Sequence, residues 1–261
     1  IYSIAAPRRT APDGVTYKSV LKTTGESYTN RTIDLRNNQL MEATIEPATD
    51  EEIQNTIKVM GGEDWILWIK ALKEAGVLAD GAKTVAYSYI GPELTYPIYK
   101  EGSIGQAKKD LYASADKIQA EIDGVEAYVS VNKAVVTQSS AAIPIVPLYL
   151  AILFKVMKEQ KVQEGCIEQM YRMIHDRLCN GGAVVTDENR LIRMDDWEME
   201  PKVQEAVAEI WQKIDQDNLE EVTDLEGYWQ EFYEIFGFRI DGVDYGADVD
   251  ADVQIPSIAA E

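Results

Sequence analysis

Hydrophobic and polar positions along the chain repeat with helical and strand periods in turn, and the pattern predicts an α/β protein. Helical spacing of apolar residues occurs in seven segments: 49–60, 63–75, 106–122, 147–158, 164–178, 200–214 and 225–235. Short apolar or alternating runs predict strands at the start of the chain and at 41–45, 83–90 and 127–131. The order strand, helix, strand over residues 83–131 is typical of a parallel βαβ unit, and the C-terminal half is mainly helical.

Residues near the ends of the first two predicted helices set their boundaries. Thr49 and Glu52 have the spacing of a capping box at the start of the first helix, and two glycines end it at 61–62. The second helix is expected to bury one apolar face made of Trp65, Trp68, Ile69 and Leu72. Between residues 7 and 47, frequent Pro, Gly, Thr and Asn predict loops and a short hairpin.

The charge and cysteine content narrow the classes of function. Lys and Arg number 25 against 45 Asp and Glu, which gives a net charge of −20 and disfavours binding to nucleic acid or to a membrane surface. The longest apolar run, residues 141–154, contains two prolines and is too short for a bilayer span of about 20 residues. Sparse cysteine without a CxxC motif favours a reducing, cytoplasmic location.

One pair of residues is a candidate for proton-transfer chemistry. Tyr99 and Lys108 are nine residues apart, so on one continuous helix they would be separated by about 900° and face opposite sides. Gly102 and Gly105 can break the helix, which would place Tyr99 on the approach and Lys108 on the first turn. In a shared cleft, the ammonium is expected to stabilise tyrosinate and lower the phenol's pKa. By spacing alone, ordinary surface residues are the favoured interpretation, because such pairs are common in any chain.

The stretch 87–110 resembles the active-site segment of the trans-2-enoyl-CoA reductase family, which overlaps the FabV-type enoyl-acyl-carrier-protein reductases and has a Tyr-x8-Lys spacing. The resemblance extends through nearly the whole chain. It includes the segments 2–9, 59–65, 86–91, 129–133, 136–137, 143–144, 147–149, 164–169, 194–198 and 242–245. Family members are related to short-chain dehydrogenases, so the resemblance implies a Rossmann-like, doubly wound parallel sheet.

The resemblance also implies a reaction and a set of site residues. NADH would deliver hydride to the β-carbon of a trans-2-enoyl thioester, either enoyl-CoA or enoyl-acyl-carrier protein. Tyr99 matches the proton donor, Lys108 the lysine that binds the nicotinamide ribose and supports the tyrosine, and Tyr89 a second tyrosine that contacts substrate. The family's cofactor contacts map onto five further residues: Ile4, Ala5, Val135, Val136 and Thr137.

The resemblance predicts that the chain begins within a domain. The family's glycine-rich dinucleotide fingerprint precedes the position that matches Ile1, and nothing in the sequence replaces it. The chain is therefore expected to be the C-terminal part of one reductase domain, incomplete at its N-terminus, with the missing segment as a partner. Residues 1–140 would hold the remaining sheet and the active-site segment, and residues 141–261 the substrate-covering helices and an acidic tail. A monomer is expected rather than a homodimer.

Other functions are weighed against this interpretation. Cys166, His175 and Cys179 match no standard zinc spacing, so we predict no metal site and expect buried helical positions instead. A short-chain-type carbonyl reductase is a rival of different chemistry, which a serine bonded to a carbonyl near the tyrosine would favour. A further rival is an inactive fragment without cofactor that serves as an acidic interaction module.

Overall fold

The strands of the protein form two antiparallel hairpins and one parallel sheet. The computed structural model describes residues 1–2, 6–250 and 252–253. Its strands are β1 (Arg8–Thr10), β2 (Thr16–Lys18), β3 (Tyr28–Asp34), β4 (Gln39–Ile45), β5 (Ala82–Ser88), β6 (Val125–Val131) and β7 (Leu191–Arg193). The hairpins are β1–β2 and β3–β4, and the parallel sheet has the order β5-β6-β7. The sequence predicts one hairpin before residue 47, and the structure has two there.

Eight α-helices are found in the described chain. They are α1 (Asp50–Met60), α2 (Glu63–Glu74), α3 (Ser103–Glu121), α4 (Val146–Glu159), α5 (Cys166–Arg172), α6 (Pro201–Lys213), α7 (Leu219–Val222) and α8 (Leu225–Glu234). Six of the seven predicted helices agree with these bounds to within three residues. The seventh, predicted over 164–178, is divided into α5 and a π-helical turn, Met173–Leu178. The short elements β7 and α7 were not predicted, because three or four residues carry no recognisable period.

The predicted capping box at the start of α1 is confirmed. The Thr49 hydroxyl accepts a hydrogen bond from the Glu52 backbone N–H at 3.2 Å, and the Glu52 carboxylate accepts one from the Thr49 N–H at 2.9 Å. Two of the unpaired donors at the helix start are thereby satisfied. The helix ends where Gly61 donates its N–H to the Ile57 carbonyl at 2.8 Å.

The parallel sheet confirms the predicted βαβ unit. β5 pairs with β6 from Ala82↔Val125 to Ser88↔Val131, and α3 connects them. Tyr2 forms a parallel bridge to Ala86, so the predicted opening strand begins beside β5, although residues 3–5 lie outside the described residues. β7 adds to the other edge, next to β6. The sheet is therefore not confined to residues 1–140, because β7 comes from the C-terminal part.

Both faces of the parallel sheet are covered by helices, as expected for parallel strands. On one face, α2 and α3 contribute Trp65, Ile69, Leu111 and Ile118, which pack on small residues of the strands. On the other face, Met173 and Leu178 of the π-helical turn pack on β5 and β7. Trp68 does not belong to the buried face of α2 as predicted: its exposed fraction is 55%. At helical spacing it lies at the margin of the apolar stripe.

The predicted apolar helix over 147–158 is confirmed as α4, and it is the centre of a second core. Almost every side chain from Val146 to Met157 is buried, and β3, α6 and α8 pack around the helix. Ile145 precedes α4 with a φ of 74°, an unusual conformation for a β-branched residue. Its N–H is held by the Thr32 hydroxyl at 3.1 Å. In the described part of the chain, no helix is both long and apolar enough to cross a bilayer.

Candidate functional site

A cavity of about 570 Å³ opens where the parallel strands end. Tyr89 follows β5 directly, and Asn132 and Lys133 follow β6, so the carboxyl ends of two neighbouring strands meet at the cavity. Residues from α1, α3 and α4 close its other sides. The volume and the mainly apolar lining with a few polar groups are typical of a small-molecule site, and the strand ends are where open α/β sheets bind ligands.

Tyr99 and Lys108 line this same cavity. Tyr99 lies in a turn that follows a short 3₁₀ helix, Glu93–Thr95, and its N–H bonds the Thr95 carbonyl at 3.0 Å. It is therefore outside α3, as the out-of-phase spacing requires. Lys108, however, lies in the second turn of α3 rather than the first. The helix begins at Ser103, three residues earlier than the sequence predicts.

The rings of Tyr89 and Tyr99 form an edge-to-face pair. Their centroids are 4.9 Å apart at an angle of 88°. Burial, and secondarily the carboxyl of Glu198, raise the pKa of Tyr99 above its usual range. The expectation that Lys108 lowers this pKa is therefore wrong for the structure, since desolvation of the phenolate outweighs any effect of the ammonium. Tyr99 is a protonated phenol, and among the described residues its hydroxyl has no hydrogen-bond partner.

Among the described residues, Lys108 makes one hydrogen bond. Its Nζ donates to the Tyr87 carbonyl at 3.0 Å, and its other two N–H groups have no partner in this part of the chain. Burial without a carboxylate partner lowers its pKa from 10.5 to about 8. The Lys108 ammonium thus lies beside the cavity, and it loses its proton at a lower pH than the ammonium of an ordinary lysine.

The predicted cofactor residues divide into three groups. Val135 and Thr137 line the cavity. Val136 does not, because its side chain is buried in the core around α4. Ile4 and Ala5 lie outside the described residues. The Thr137 hydroxyl accepts from the Ser140 N–H at 3.1 Å, a contact that fixes the loop after β6.

Sequence reasoning missed a buried polar cluster behind the cavity. Glu198, in the turn between β7 and α6, accepts hydrogen bonds from the hydroxyls of Tyr89 and Tyr149. Lys133 is also buried, and its Nζ donates to the Ala134 carbonyl at 2.7 Å. Burial lowers the pKa of Lys133 and raises that of Glu198. No local signal distinguished Glu198 in an acidic stretch, since its partners come from distant segments.

Gly105 shapes the turn that carries Tyr99, and its replacement gives a test of that turn. A Cβ atom at Gly105 would overlap the backbone carbonyl oxygens of Tyr99 and Lys100. We expect Gly105→Ala to lower the free energy of unfolding by about 1–3 kcal/mol, because the backbone must shift to admit the methyl group. Urea unfolding measures this change. Gly25→Ala is the matched control, since a Cβ there meets nothing within 4 Å; equal stability of the two variants would contradict the tight contact.

The residues weighed as metal ligands do not form a site. Cys166 and Cys179 are exposed, and His175 is exposed beside Asp176, with Nδ1 2.6 Å from the Asp176 carboxylate. The expectation that they are buried helical positions is wrong, because they lie on the outer side of α5 and the π-helical turn. Within residues 1–2, 6–250 and 252–253, no group of three or more His, Cys, Asp or Glu side chains is placed to hold a metal ion.

Two family profiles match the chain. One, described as the trans-2-enoyl-CoA reductase catalytic region, matches residues 1–179. The other, described as the enoyl reductase FAD binding domain, matches residues 186–249. The crystal structure of Treponema denticola trans-2-enoyl-CoA reductase in complex with NAD is similar, with a TM-score of 0.91 and 50% identity. That similarity covers 95% of this chain and 63% of the Treponema chain.

Curated relatives are similar over the whole of this chain. Trans-2-enoyl-CoA reductase (NADH) of Ruminiclostridium cellulolyticum is 52% identical over 261 residues, covering 99% of this chain and 66% of that protein. Trans-2-enoyl-CoA reductase of Euglena gracilis is 53% identical, covering 100% of this chain and 49% of that protein. Enoyl-acyl-carrier-protein reductase (NADH) of Psychromonas ingrahamii is 53% identical, with 99% and 66% covered. The chain thus spans between half and two thirds of the length of these relatives.

Proposed function

The chain belongs to the trans-2-enoyl-CoA reductase family, and from this premise we propose that the protein reduces the trans-2 double bond of an enoyl thioester with NADH. The substrate is an enoyl-CoA or an enoyl-acyl-carrier protein, since relatives carry both names. The observation that supports the proposal most directly is the cavity that contains Tyr89, Tyr99 and Lys108 at the ends of parallel strands. We also propose that β5, β6 and β7 are part of a Rossmann-like, doubly wound sheet.

The residues around the cavity suit the nicotinamide end of NADH. Lys108 has two N–H groups that no described residue engages and that can donate to the hydroxyls of a ribose, and Val135 and Thr137 line the cavity after β6. When bound, the nicotinamide supplies a hydride to the β-carbon of the substrate. We assign the ribose contact to Lys108, and the untested contacts of Ile4, Ala5 and Val136 stay predictions from the family resemblance.

Tyr99 is assigned the proton transfer. Hydride addition at the β-carbon leaves negative charge on the thioester enolate, which needs hydrogen-bond donors and then a proton at the α-carbon. The raised pKa of Tyr99 keeps its proton in place until that charge develops, and its hydroxyl is not committed to another described residue. The resulting phenolate regains a proton from solvent.

No flavin step is proposed, although the second family profile names FAD. Residues 186–249 contribute none of the described lining of the main cavity. Some of them line a separate groove, together with residues 92–94 and 96, and no Lys or Arg is among its lining residues. Such a groove offers no cation for a pyrophosphate, so the residues that line it do not fit the cofactor.

The proposal is tested by supplying NADH and crotonyl-CoA to the purified chain and, in parallel, to any longer product of the same gene. We expect NADH absorbance to fall and butyryl-CoA to appear by mass spectrometry. Acetoacetyl-CoA serves as the carbonyl substrate. Its reduction in place of crotonyl-CoA would favour the short-chain-type rival, against which the pairing of Tyr89 with Tyr99 speaks. Turnover of neither substrate by either protein would contradict the proposal.

A further inference from the structure

Glu198 is a fully buried carboxylate that contacts three separate parts of the site. Its Oε1 accepts from the Tyr149 hydroxyl at 2.6 Å and from the Tyr89 hydroxyl at 3.0 Å. Its Oε2 accepts from the Ala134 N–H at 2.7 Å. Because burying a carboxylate is costly unless it is well hydrogen-bonded, three donors from three segments indicate a dedicated position for this group.

We propose that Glu198 is a positioning residue of the reductase site, which holds the Tyr89 ring against Tyr99 and directs the Tyr89 hydroxyl proton away from the cavity. The inference rests on the proposed function and deepens it. It assigns different roles to the two phenols. The Tyr89 hydroxyl can only accept a hydrogen bond from a group in the cavity, whereas the Tyr99 hydroxyl can donate its proton.

The direction of the protons follows from the chemistry of the groups. An ionised carboxylate can only accept hydrogen bonds, so each phenol must donate its single proton to it. Gln204 supports this assignment for Tyr149, because its Nε2 donates to the Tyr149 oxygen at 3.2 Å and leaves the Tyr149 proton for Glu198. Burial raises the pKa of Glu198, but bonds from Tyr149, Ala134 and Tyr89, and the charge of Lys133, oppose that rise.

The turn that carries Glu198 is itself held rigidly. Gln204 donates to the Glu198 carbonyl at 2.7 Å. Arg172 donates to both carboxylate oxygens of Glu164, at 2.9 and 2.6 Å, and to the Met194 carbonyl at 2.9 Å. The Arg172 guanidinium also lies 4.0 Å from the ring centre of Trp197. These contacts from α5 and α6 fix the backbone on which a positioning role depends.

Glu198→Gln is the sharpest test, because it keeps the size of the side chain. The glutamine oxygen must face the Ala134 N–H, so its NH₂ group faces the two phenol oxygens and donates to them. The Tyr89 hydroxyl can then no longer donate to residue 198, and its proton must point in another direction. We expect kcat for crotonyl-CoA to fall about tenfold or more, a size typical of lost orientation in a site. NADH affinity is expected to change little, since residue 198 still accepts from the Ala134 N–H beside the cavity. The melting temperature is expected to fall, because the buried Tyr149 hydroxyl loses the acceptor for its proton.

A double-mutant cycle separates positioning from a general structural role. If Glu198 acts through Tyr89, Glu198→Gln has little further effect on kcat in a Tyr89→Phe background, whereas independent effects multiply. Glu200→Gln is the matched control, because this partly exposed carboxylate two residues away pairs only with Lys202 among the described residues. It is expected to leave kcat unchanged.

The outcomes distinguish this inference from the proposed function. Absence of crotonyl-CoA reduction by the unaltered full-length protein overturns both. An active unaltered protein with normal kcat in Glu198→Gln, or with effects that multiply in the cycle, overturns the positioning role alone. If Glu198→Gln does not fold, Tyr89→Phe decides by itself, since removing only that hydroxyl must then lower kcat; unchanged kcat contradicts the inference.

Discussion

Replacing Tyr99 with phenylalanine is expected to lower the rate of crotonyl-CoA reduction by about 10³-fold, within the range for loss of a positioned acid. The phenylalanine ring can keep the edge-to-face contact with Tyr89, so the cavity retains its shape. The substitution removes only the hydroxyl that is assigned to donate a proton to the α-carbon. NADH affinity is therefore expected to stay within about twofold of the unaltered protein, because no cofactor contact is assigned to this hydroxyl.

Steady-state kinetics and NADH fluorescence titration measure the two quantities on the same preparation. Tyr96→Phe is the matched control, because Tyr96 lies three residues earlier and lines the separate groove instead of the main cavity. Near-normal turnover by Tyr99→Phe would show that the proton comes from another group. A parallel loss of NADH binding would indicate that the variant had disturbed the cavity itself.

Replacing Lys108 with methionine is expected to weaken NADH binding about tenfold and to lower kcat/KM about 10²-fold, as for the loss of a charged hydrogen-bond donor from a dry site. Methionine fills most of the same space, and the change removes the ammonium that donates to the Tyr87 carbonyl. Lys109→Met is the control, since Lys109 is exposed and its ammonium contacts only Gln106 among the described residues. Unchanged affinity and turnover in Lys108→Met would contradict its role.

The low pKa of Lys108 adds a pH dependence to this prediction. Burial disfavours the ammonium and brings the pKa to about 8, so the charge is present below that pH and is lost as the pH rises through it. NADH affinity of the unaltered protein is accordingly expected to decline above about pH 8. Titrating NADH at several pH values measures the decline. In Lys108→Arg, the arginine stays charged throughout this pH range. We therefore expect the NADH affinity of this variant not to decline above pH 8, whatever its absolute value.

Local sequence determined the elements that lie on one continuous stretch of chain. The capping box at Thr49 and the apolar run of α4 needed no long-range information, because neighbouring residues supply both the signal and the partner. The βαβ unit over residues 82–131 was likewise predictable from its alternating periods. The out-of-phase spacing of Tyr99 and Lys108 correctly required that Tyr99 lie outside the helix.

Only the tertiary structure decided what surrounds those residues. The pKa of Tyr99 depends on burial and on Glu198, about one hundred residues away, so a local argument from Lys108 gave the wrong direction. Trp68 is exposed although the helical pattern places it with the apolar face of α2. The buried Glu198 carboxylate is stabilised by hydrogen-bond donors from the segments after β5 and β6 and from α4. Hydrogen-bond partners and desolvation depend on residues that are close in space but distant in sequence. The pattern of apolar and polar residues along the chain therefore cannot predict them.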